Sequence, residues 1–170
     1  MSGNVIKEAV SGAVEYLTAN PSEARSRDGS AQAVLRSGLV VDVSGPGGEA
    51  VTTDMVTSVG GSGSAPSPGW LLRAAAASCV ATLVALRAAT LDVAVESLEV
   101  TVDSESDDRG ILGIDPAVPA GPLSLRVAVS VHAPGADADQ LRGIVAWGVD
   151  HCPVIDAVRR AVPTEIHVEV

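Results

Sequence analysis

The longest apolar stretch of this chain lies near its middle and reads Trp70-Leu71-Leu72-Arg73-Ala74-Ala75-Ala76-Ala77-Ser78-Cys79-Val80-Ala81-Thr82-Leu83-Val84. With its flanks, from Gly69 to Leu86, it is long enough to suggest a membrane span. Arg73 interrupts the stretch, however, and many of its residues are Ala or Ser, which promote membrane insertion only weakly. We therefore expect a long helix that is buried on most sides at the centre of a globular domain.

The composition is typical of one folded domain with a core. The chain has 170 residues, of which 46% are hydrophobic and 19% charged. It contains no Phe, one Tyr and two Trp, so the core must be built from Ala, Val, Leu and Ile. A net charge of −10 without a polybasic cluster argues against nucleic-acid and anionic-membrane partners. The first residues show no secretory signal, and we expect a cytoplasmic protein.

Hydrophobic periodicity predicts an α+β fold in which an antiparallel sheet packs on helices. Asp28-Gly29 is a hairpin signal, and residues 58–68 read as a flexible loop that leads into the long apolar helix. The predicted helices cover residues 5–19, 69–86, 138–149 and 153–161. The predicted strands cover residues 31–35, 39–43, 98–103, 123–131 and 164–170, the last three with strict alternation.

Only two cysteines are present, and the first candidate for chemistry is Cys152, within His151-Cys152-Pro153. Pro153 fits the first position of a helix, which places Cys152 at its N-cap. Unpaired backbone N–H groups and the helix dipole favour an anion there, so the thiol is a candidate for a lowered pKa. A small buried residue that fills the start of a helix explains the position equally well. The adjacent His151 is a weak candidate for a thiolate partner or a metal ligand.

Cys79 has a less favourable local setting for reactivity. A cysteine in the middle of an apolar helix is usually an inert core thiol, because burial raises its pKa. A reactive Cys79 needs a cation delivered from elsewhere in the fold. The candidates are Arg25, Arg27, Arg36 and Arg73, of which Arg73 is rotated far from Cys79 on the same helix.

The glycine-rich segment Gly60-Gly61-Ser62-Gly63-Ser64 precedes the Cys79 helix. Its backbone amides could hold a phosphate, but the Gly-Lys-Ser/Thr of a P-loop is missing. A flexible loop is the simpler interpretation.

Three segments resemble the OsmC/Ohr family (osmotically inducible protein C and organic hydroperoxide resistance protein). Residues 66–79 look like the proline-led helix that carries the family's first cysteine, and residues 151–158 look like its second motif, Cys-Pro followed by a short helix. Ser26-Arg27-Asp28-Gly29-Ser30, with the strand at 39–43, resembles the arginine-bearing turn of the Ohr branch. The resemblance covers residues 25–170 as an OsmC-like domain and leaves residues 1–24 as an N-terminal helical extension.

This resemblance implies an intertwined homodimer in which antiparallel sheets wrap two central helices. It also implies thiol-dependent reduction of organic hydroperoxides, and of hydrogen peroxide as a further candidate substrate. Cys79 would be the thiolate that attacks the peroxide and becomes a sulfenic acid, and Cys152 would condense with it to a disulfide. Arg27 would stabilise the Cys79 thiolate. A dithiol reductant of lipoyl or thioredoxin type would reopen the disulfide, with no metal or organic cofactor.

One departure from the family pattern concerns Gly69. Members of the Ohr branch carry a glutamate directly after the proline that opens the first cysteine helix, and that glutamate pairs with the arginine. Here the position is Gly69, so another acid, such as Glu49 or Asp54, would have to hold Arg27. This departure favours an alternative function, in which the protein binds an apolar small ligand in the dimer pocket with weak or no peroxidase activity.

Overall fold

The structure is a computed structural model and describes residues 3–170. It confirms the α+β class, with antiparallel sheets and helices. The α-helices of the described chain are α1 (Gly3–Ala19), α2 (Pro68–Thr90), α3 (Asp108–Ile111), α4 (Ala138–Asp150) and α5 (Pro153–Arg159). Its strands are β1 (Gln32–Ser37), β2 (Val40–Ser44), β3 (Ala50–Thr53), β4 (Ser97–Glu105) and β5 (Ser124–His132).

The chain divides into two compact units, which are described separately below. One unit contains the chain up to Ser11 together with Ala75–Val170, and the other is Gly12–Ala74. The division predicted from sequence, an extension over 1–24 and a domain over 25–170, stays a prediction.

The unit formed by Gly12–Ala74 contains a three-stranded antiparallel sheet in the order β1-β2-β3. The turn between β1 and β2 depends on Gly38, whose φ of 56° lies in the left-handed region that glycine adopts without steric cost. The hairpin expected at Asp28-Gly29 is wrong, because this pair lies in irregular backbone after a short 3-10 turn, and no strand precedes it between residue 3 and Asp28. Sequence periodicity also missed β3, which is only four residues long.

The second unit contains a two-stranded antiparallel sheet of β4 and β5, in which Val100 lies opposite Val129. Both strands alternate between exposed and half-buried residues along their whole length, as predicted. Their apolar face packs against a core cluster from three helices, whose buried members are Ala76, Val80, Val84, Ala88, Ile144, Cys152 and Ile155.

Helix α2 is buried on one face rather than on most sides. The buried stripe within the second unit repeats every four residues, at Ala76, Val80, Val84 and Ala88, which is the spacing of one helix face. By length and composition α2 could also cross a bilayer, with a mean hydropathy of 1.6, a property that the core helix of a folded domain shares.

The strand expected at 164–170 is also wrong. These residues are irregular, exposed and without strand pairing in the described chain. Alternating side chains make a segment compatible with a sheet, but a strand forms only when its backbone hydrogen-bonds to a neighbouring strand.

Candidate active site

Helix α2 presents Cys79 at the edge of its buried stripe, directly before Val80. The residue is half-buried, whereas Val80 is fully buried. The Cys79 side chain packs on the apolar core cluster. A thiol in this position remains partly accessible to a small molecule, while most of its surroundings are apolar.

Cys152 occupies the N-cap of α5, as predicted from the following proline. Pro153 is the first residue of α5, and the Cys152 backbone is extended, with φ −77° and ψ 112°. The side chain is 0% exposed. The cysteine therefore lies at the junction of α4 and α5, inside the core cluster.

The fold brings the two thiols together. Cys79 and Cys152 are both free, and their thiols interact with each other although 73 positions of sequence separate them. The backbone amide of Val154, in the first turn of α5, also interacts with the Cys79 thiol.

The balance of these contacts raises the pKa of Cys79 above its ordinary value. Burial is the largest cause, followed by the hydrogen bond to Cys152, and negative charge on Cys152 acts in the same direction. The Val154 amide opposes them by stabilising the thiolate. The two-thiol arrangement alone therefore keeps Cys79 protonated, and a reactive thiolate needs a cation in addition.

A close approach of α2 and α4 sets the position of Cys152. Gly148 is buried, and a Cβ atom placed on it would lie 2.6 Å from Val84 Cγ2 and 2.9 Å from Val84 N. Since these distances are shorter than van der Waals contact allows, only glycine permits this helix spacing. Gly148 precedes Cys152 by one helical turn, and its role was not apparent from sequence because it depends on a contact between distant helices.

The His151 side chain makes its contacts with Trp147. Its ring stacks on Trp147, with centroids 4.1 Å apart and planes at 14°, and its Nδ1 lies 2.8 Å from the Trp147 carbonyl oxygen. The Arg87 guanidinium lies 5.0 Å from the centroid of the same indole. Trp147 thus contacts both the His151 ring and the Arg87 guanidinium. Within residues 3–170, no three His, Cys, Asp or Glu side chains group as a metal site.

The candidate arginines lie in the unit Gly12–Ala74. Arg27 and Arg25 are exposed in the irregular segment before β1, and Arg36 is paired with Asp42 across β1 and β2. The role of Arg27 beside Cys79 stays a prediction. At Gly69, an added Cβ would have as nearest neighbours Arg73 Nη1 and Ser67 Oγ, each at 3.9 Å, so the backbone has room for a side chain where the glutamate is missing.

The glycine-rich loop is ordered around the side chain of Asp54, which is 1% exposed. The carboxylate accepts hydrogen bonds from the amides of Met55, Ser62 and Ser64 at 2.7, 3.1 and 3.0 Å, and from the hydroxyls of Ser62 and Ser64 at 2.5 and 3.0 Å. These bonds, led by that of the Ser62 hydroxyl, hold the Asp54 pKa far below its usual range. The expectation of a flexible loop is therefore wrong, since hydrogen bonds to a buried carboxylate order the loop.

Neither acid suggested as a substitute partner for Arg27 is bonded to it. Asp54 binds the loop, and Glu49 accepts a hydrogen bond of 2.9 Å from the amide of Gly47. Which acid holds Arg27 in place of the missing glutamate stays a prediction.

Replacing Asp54 by Asn should lower the thermal unfolding midpoint at pH 7, because the loop donors lose a charged acceptor. A group whose folded pKa is depressed stabilises the fold above its unfolded pKa, about 3.9 for Asp, and the contribution is lost as the pH falls below that value. The wild type should therefore lose stability below about pH 4, and Asp54→Asn should flatten this part of the profile. Calorimetry from pH 3 to 7 measures it, with the exposed Asp28→Asn as control. Equal profiles for wild type and Asp54→Asn would contradict the assignment.

Comparison with known proteins places the chain in a family. Residues 61–167 match the OsmC-like protein family, which is more than half of the sequence. The chain belongs to the OsmC-like family. A comparison with curated protein sequences gives no match.

Solved structures confirm the OsmC-like fold. An organic hydroperoxide resistance protein OsmC from Legionella pneumophila superposes with a TM-score of 0.59 at 23% identity, over 79% of this chain and 91% of that one. An OsmC-like protein from Mycoplasma pneumoniae gives 0.67 at 14% identity, over 81% and 91%. An organic hydroperoxide resistance protein from Vibrio cholerae, with captopril in one of its active sites, gives 0.57 at 24% identity, over 81% and 88%.

Proposed function

We propose that this OsmC-like protein is a cytoplasmic, homodimeric thiol peroxidase that reduces organic hydroperoxides, with hydrogen peroxide as a second candidate substrate. The observation that carries the proposal is the interaction between the thiols of Cys79 and Cys152, which the fold brings near each other. Fold relatives named as organic hydroperoxide resistance proteins support the substrate class. The half-buried Cys79 is the thiol that a peroxide can reach, since Cys152 is fully buried.

The proposed cycle has three balanced steps. The Cys79 thiolate attacks one oxygen of the peroxide, the O–O bond breaks, and the departing alkoxide takes a proton to become an alcohol, leaving Cys79 as a sulfenic acid. The Cys152 thiol displaces water from that sulfenic acid and forms the disulfide. A dithiol of lipoyl or thioredoxin type then reduces the disulfide, is itself oxidised to a disulfide, and returns both thiols.

Arg27 is proposed as the cation that offsets the raised pKa of Cys79. A positive charge near a thiolate lowers its pKa, and burial together with Cys152 makes such a charge necessary here. Within the proposed dimer, either copy could deliver the arginine.

Removing Arg27 should shift the pH profile of Cys79 oxidation upward. In Arg27→Ala the thiolate is less populated at neutral pH, and the oxidation rate at pH 7 should fall about tenfold for each unit by which the pKa rises. Stopped-flow oxidation by cumene hydroperoxide from pH 6 to 10 measures the shift. Arg25→Ala, two residues away in the same exposed segment, is the matched control. An unshifted Arg27→Ala profile, or an equal shift in Arg25→Ala, would remove Arg27 from the site.

A second candidate function is binding of an apolar ligand with little peroxidase activity. Two observations favour it: the contacts of Cys79 raise its thiol pKa, and Gly69 stands where the Ohr branch has a glutamate. The two functions differ in what happens to the thiols when a peroxide is added.

The deciding experiment counts free thiols and measures intact mass after one equivalent of cumene hydroperoxide. Wild type should lose two thiols and two mass units, because a disulfide forms. Cys152→Ser should gain one oxygen at Cys79, trapped by a sulfenic-acid reagent. Unchanged thiols in both proteins would refute the peroxidase and leave ligand binding as the function to test.

A further inference from the structure

The corner between α4 and α5 consists of two residues, and Cys152 is one of them. Helix α4 ends at Asp150 and α5 begins at Pro153, so His151 and Cys152 make the whole connection. The Cys152 side chain gives no capping hydrogen bond to the first turn of α5. The course of the backbone through His151 therefore decides where the Cys152 sulfur lies once α4 is in place.

His151 is held twice by a single carbonyl group. The Trp147 oxygen accepts a hydrogen bond of 3.0 Å from the His151 backbone N–H and lies 2.8 Å from His151 Nδ1. A carbonyl oxygen can only accept, so Nδ1 carries the hydrogen in this contact. The ring also stacks on the Trp147 indole. The backbone and the side chain of His151 are thus both fixed by one residue in the last turn of α4.

The same indole connects this corner to the helix that carries Cys79. Arg87 lies in the last turn of α2, with its guanidinium 5.0 Å from the centroid of the Trp147 ring. Cys79 lies about two turns earlier on that helix. A chain of contacts therefore runs from α2 through Trp147 to His151, the residue before Cys152. Because a cation near an indole and a stacked ring are both favourable, these contacts resist separation of the corner from α2.

A further contact across the corner is exposed to water. Arg159 of α5 lies 3.2 Å from Asp150 of α4, and 60% and 66% of these side chains are exposed. An exposed ion pair contributes little, because water screens both charges. We therefore expect the contacts between His151 and Trp147 to fix the corner more firmly than this ion pair does.

We propose that His151 is a positioning residue for Cys152. Through its hydrogen bond to the Trp147 carbonyl and its stacking on the indole, it holds the corner so that the Cys152 thiol stays beside Cys79. The inference rests on the proposed function and names the residue that orients the thiol that closes the disulfide. A thiol held in place has a higher effective concentration at its partner, which favours the disulfide over two free thiols.

The equilibrium of this disulfide with glutathione tests the role of His151 without any peroxide. The two protein thiols pass two electrons and two protons to oxidised glutathione, which yields the Cys79–Cys152 disulfide and two molecules of reduced glutathione. In His151→Ala the equilibrium constant of this reaction should fall about tenfold, the worth of one hydrogen bond and one ring contact. Acid quenching followed by intact mass spectrometry measures the constant.

Three further variants separate positioning from a general loss of stability. His151→Asn keeps a donor near the place of Nδ1, and His151→Phe keeps a ring that can stack, so each should retain part of the equilibrium constant that His151→Ala loses. Arg159→Ala removes the exposed ion pair across the same corner and is the matched control, which should stay within about twofold of wild type. An unchanged constant in His151→Ala would overturn the proposal. So would an equal fall in Arg159→Ala, or a fall in both His151→Asn and His151→Phe as large as in His151→Ala.

The hydrogen bond itself has a spectroscopic signature. In the reduced protein, at a pH where the ring is neutral, the nitrogen NMR shifts of His151 should show the hydrogen on Nδ1 and none on Nε2. The exposed His132 and His167 provide reference signals in the same spectrum. A hydrogen on Nε2 of His151 would contradict the proposed contact.

Failure of this inference is distinguishable from failure of the peroxidase. If the wild type forms the disulfide with glutathione but keeps both thiols with cumene hydroperoxide, the peroxidase is refuted, and a lower glutathione constant in His151→Ala still supports the positioning role. If the wild type loses two thiols to the peroxide while His151→Ala has the wild-type glutathione constant, the peroxidase is supported and the positioning role is refuted.

Discussion

Replacing Cys79 by serine should reduce the rate of organic hydroperoxide reduction at least about a thousandfold, because a hydroxyl at neutral pH lacks the thiolate's nucleophilicity. Removing Cys152 should act differently. Cys152→Ser should consume one equivalent of peroxide and then stop under a reductant that acts only on the disulfide. Steady-state peroxide consumption with a lipoyl or thioredoxin reductant separates the two variants.

The pH dependence of the first oxidation tests whether the pKa of Cys79 is raised. Since burial and Cys152 raise the pKa of Cys79, the rate of the first oxidation should increase with pH and level off only once the Cys79 thiol is ionised.

Circular dichroism is the control that shows whether the Cys79→Ser variant is folded. Peroxide consumption by Cys79→Ser at the wild-type rate would exclude Cys79 as the nucleophile.

Replacing Gly148 by alanine should slow disulfide formation about a hundredfold and leave the first oxidation nearly unchanged. The added Cβ would lie 2.6 Å from Val84 Cγ2, so α4 must move away from α2 and carry Cys152 with it. Misplacement of a reacting group by about 1 Å costs about this factor in rate. Rapid-quench mass spectrometry should show the Cys79 sulfenic acid accumulating before the disulfide.

Gly143→Ala is the matched control, because Gly143 lies in the same helix with no atom within 4 Å of an added Cβ. This variant should resolve its sulfenic acid at the wild-type rate. Equal resolution rates in Gly148→Ala and Gly143→Ala would show that the α2–α4 spacing does not control the approach of the two thiols. If Gly148 had only a structural role, Gly148→Ala would lower the melting temperature, but it would not slow disulfide formation while leaving the first oxidation of Cys79 unchanged.

Local sequence patterns predicted the elements whose formation depends on near neighbours. The repeat of apolar residues predicted α2, strict alternation predicted β4 and β5, and Pro153 predicted the N-cap position of Cys152. Each of these signals acts within a few residues, through the helical or extended repeat or through the fixed φ of proline. The structure contains the elements that these local patterns predict, because no contact with a distant part of the chain favours another conformation there.

Features that depend on distant groups were missed or mistaken. The Gly60–Ser64 loop looked flexible because its order comes from the buried carboxylate of Asp54, on the other side of the loop. The segment 164–170 looked like a strand because alternation reports compatibility with a sheet, whereas pairing depends on a neighbour. In both cases the deciding partner lies outside the window that a sequence pattern covers.

The amino-acid sequence by itself determined the α+β class, the OsmC-like family and the two cysteine motifs, because these are carried by local periodicity and by short spacings. The tertiary structure alone decided that Cys79 and Cys152 interact, that Gly148 sets the spacing of α2 and α4 near them, and that α2 is buried on one face. The physical reason is that an interaction between thiols 73 positions apart depends on how helices pack. Packing is settled by the close fit of many side chains at once, which no single stretch of the chain contains.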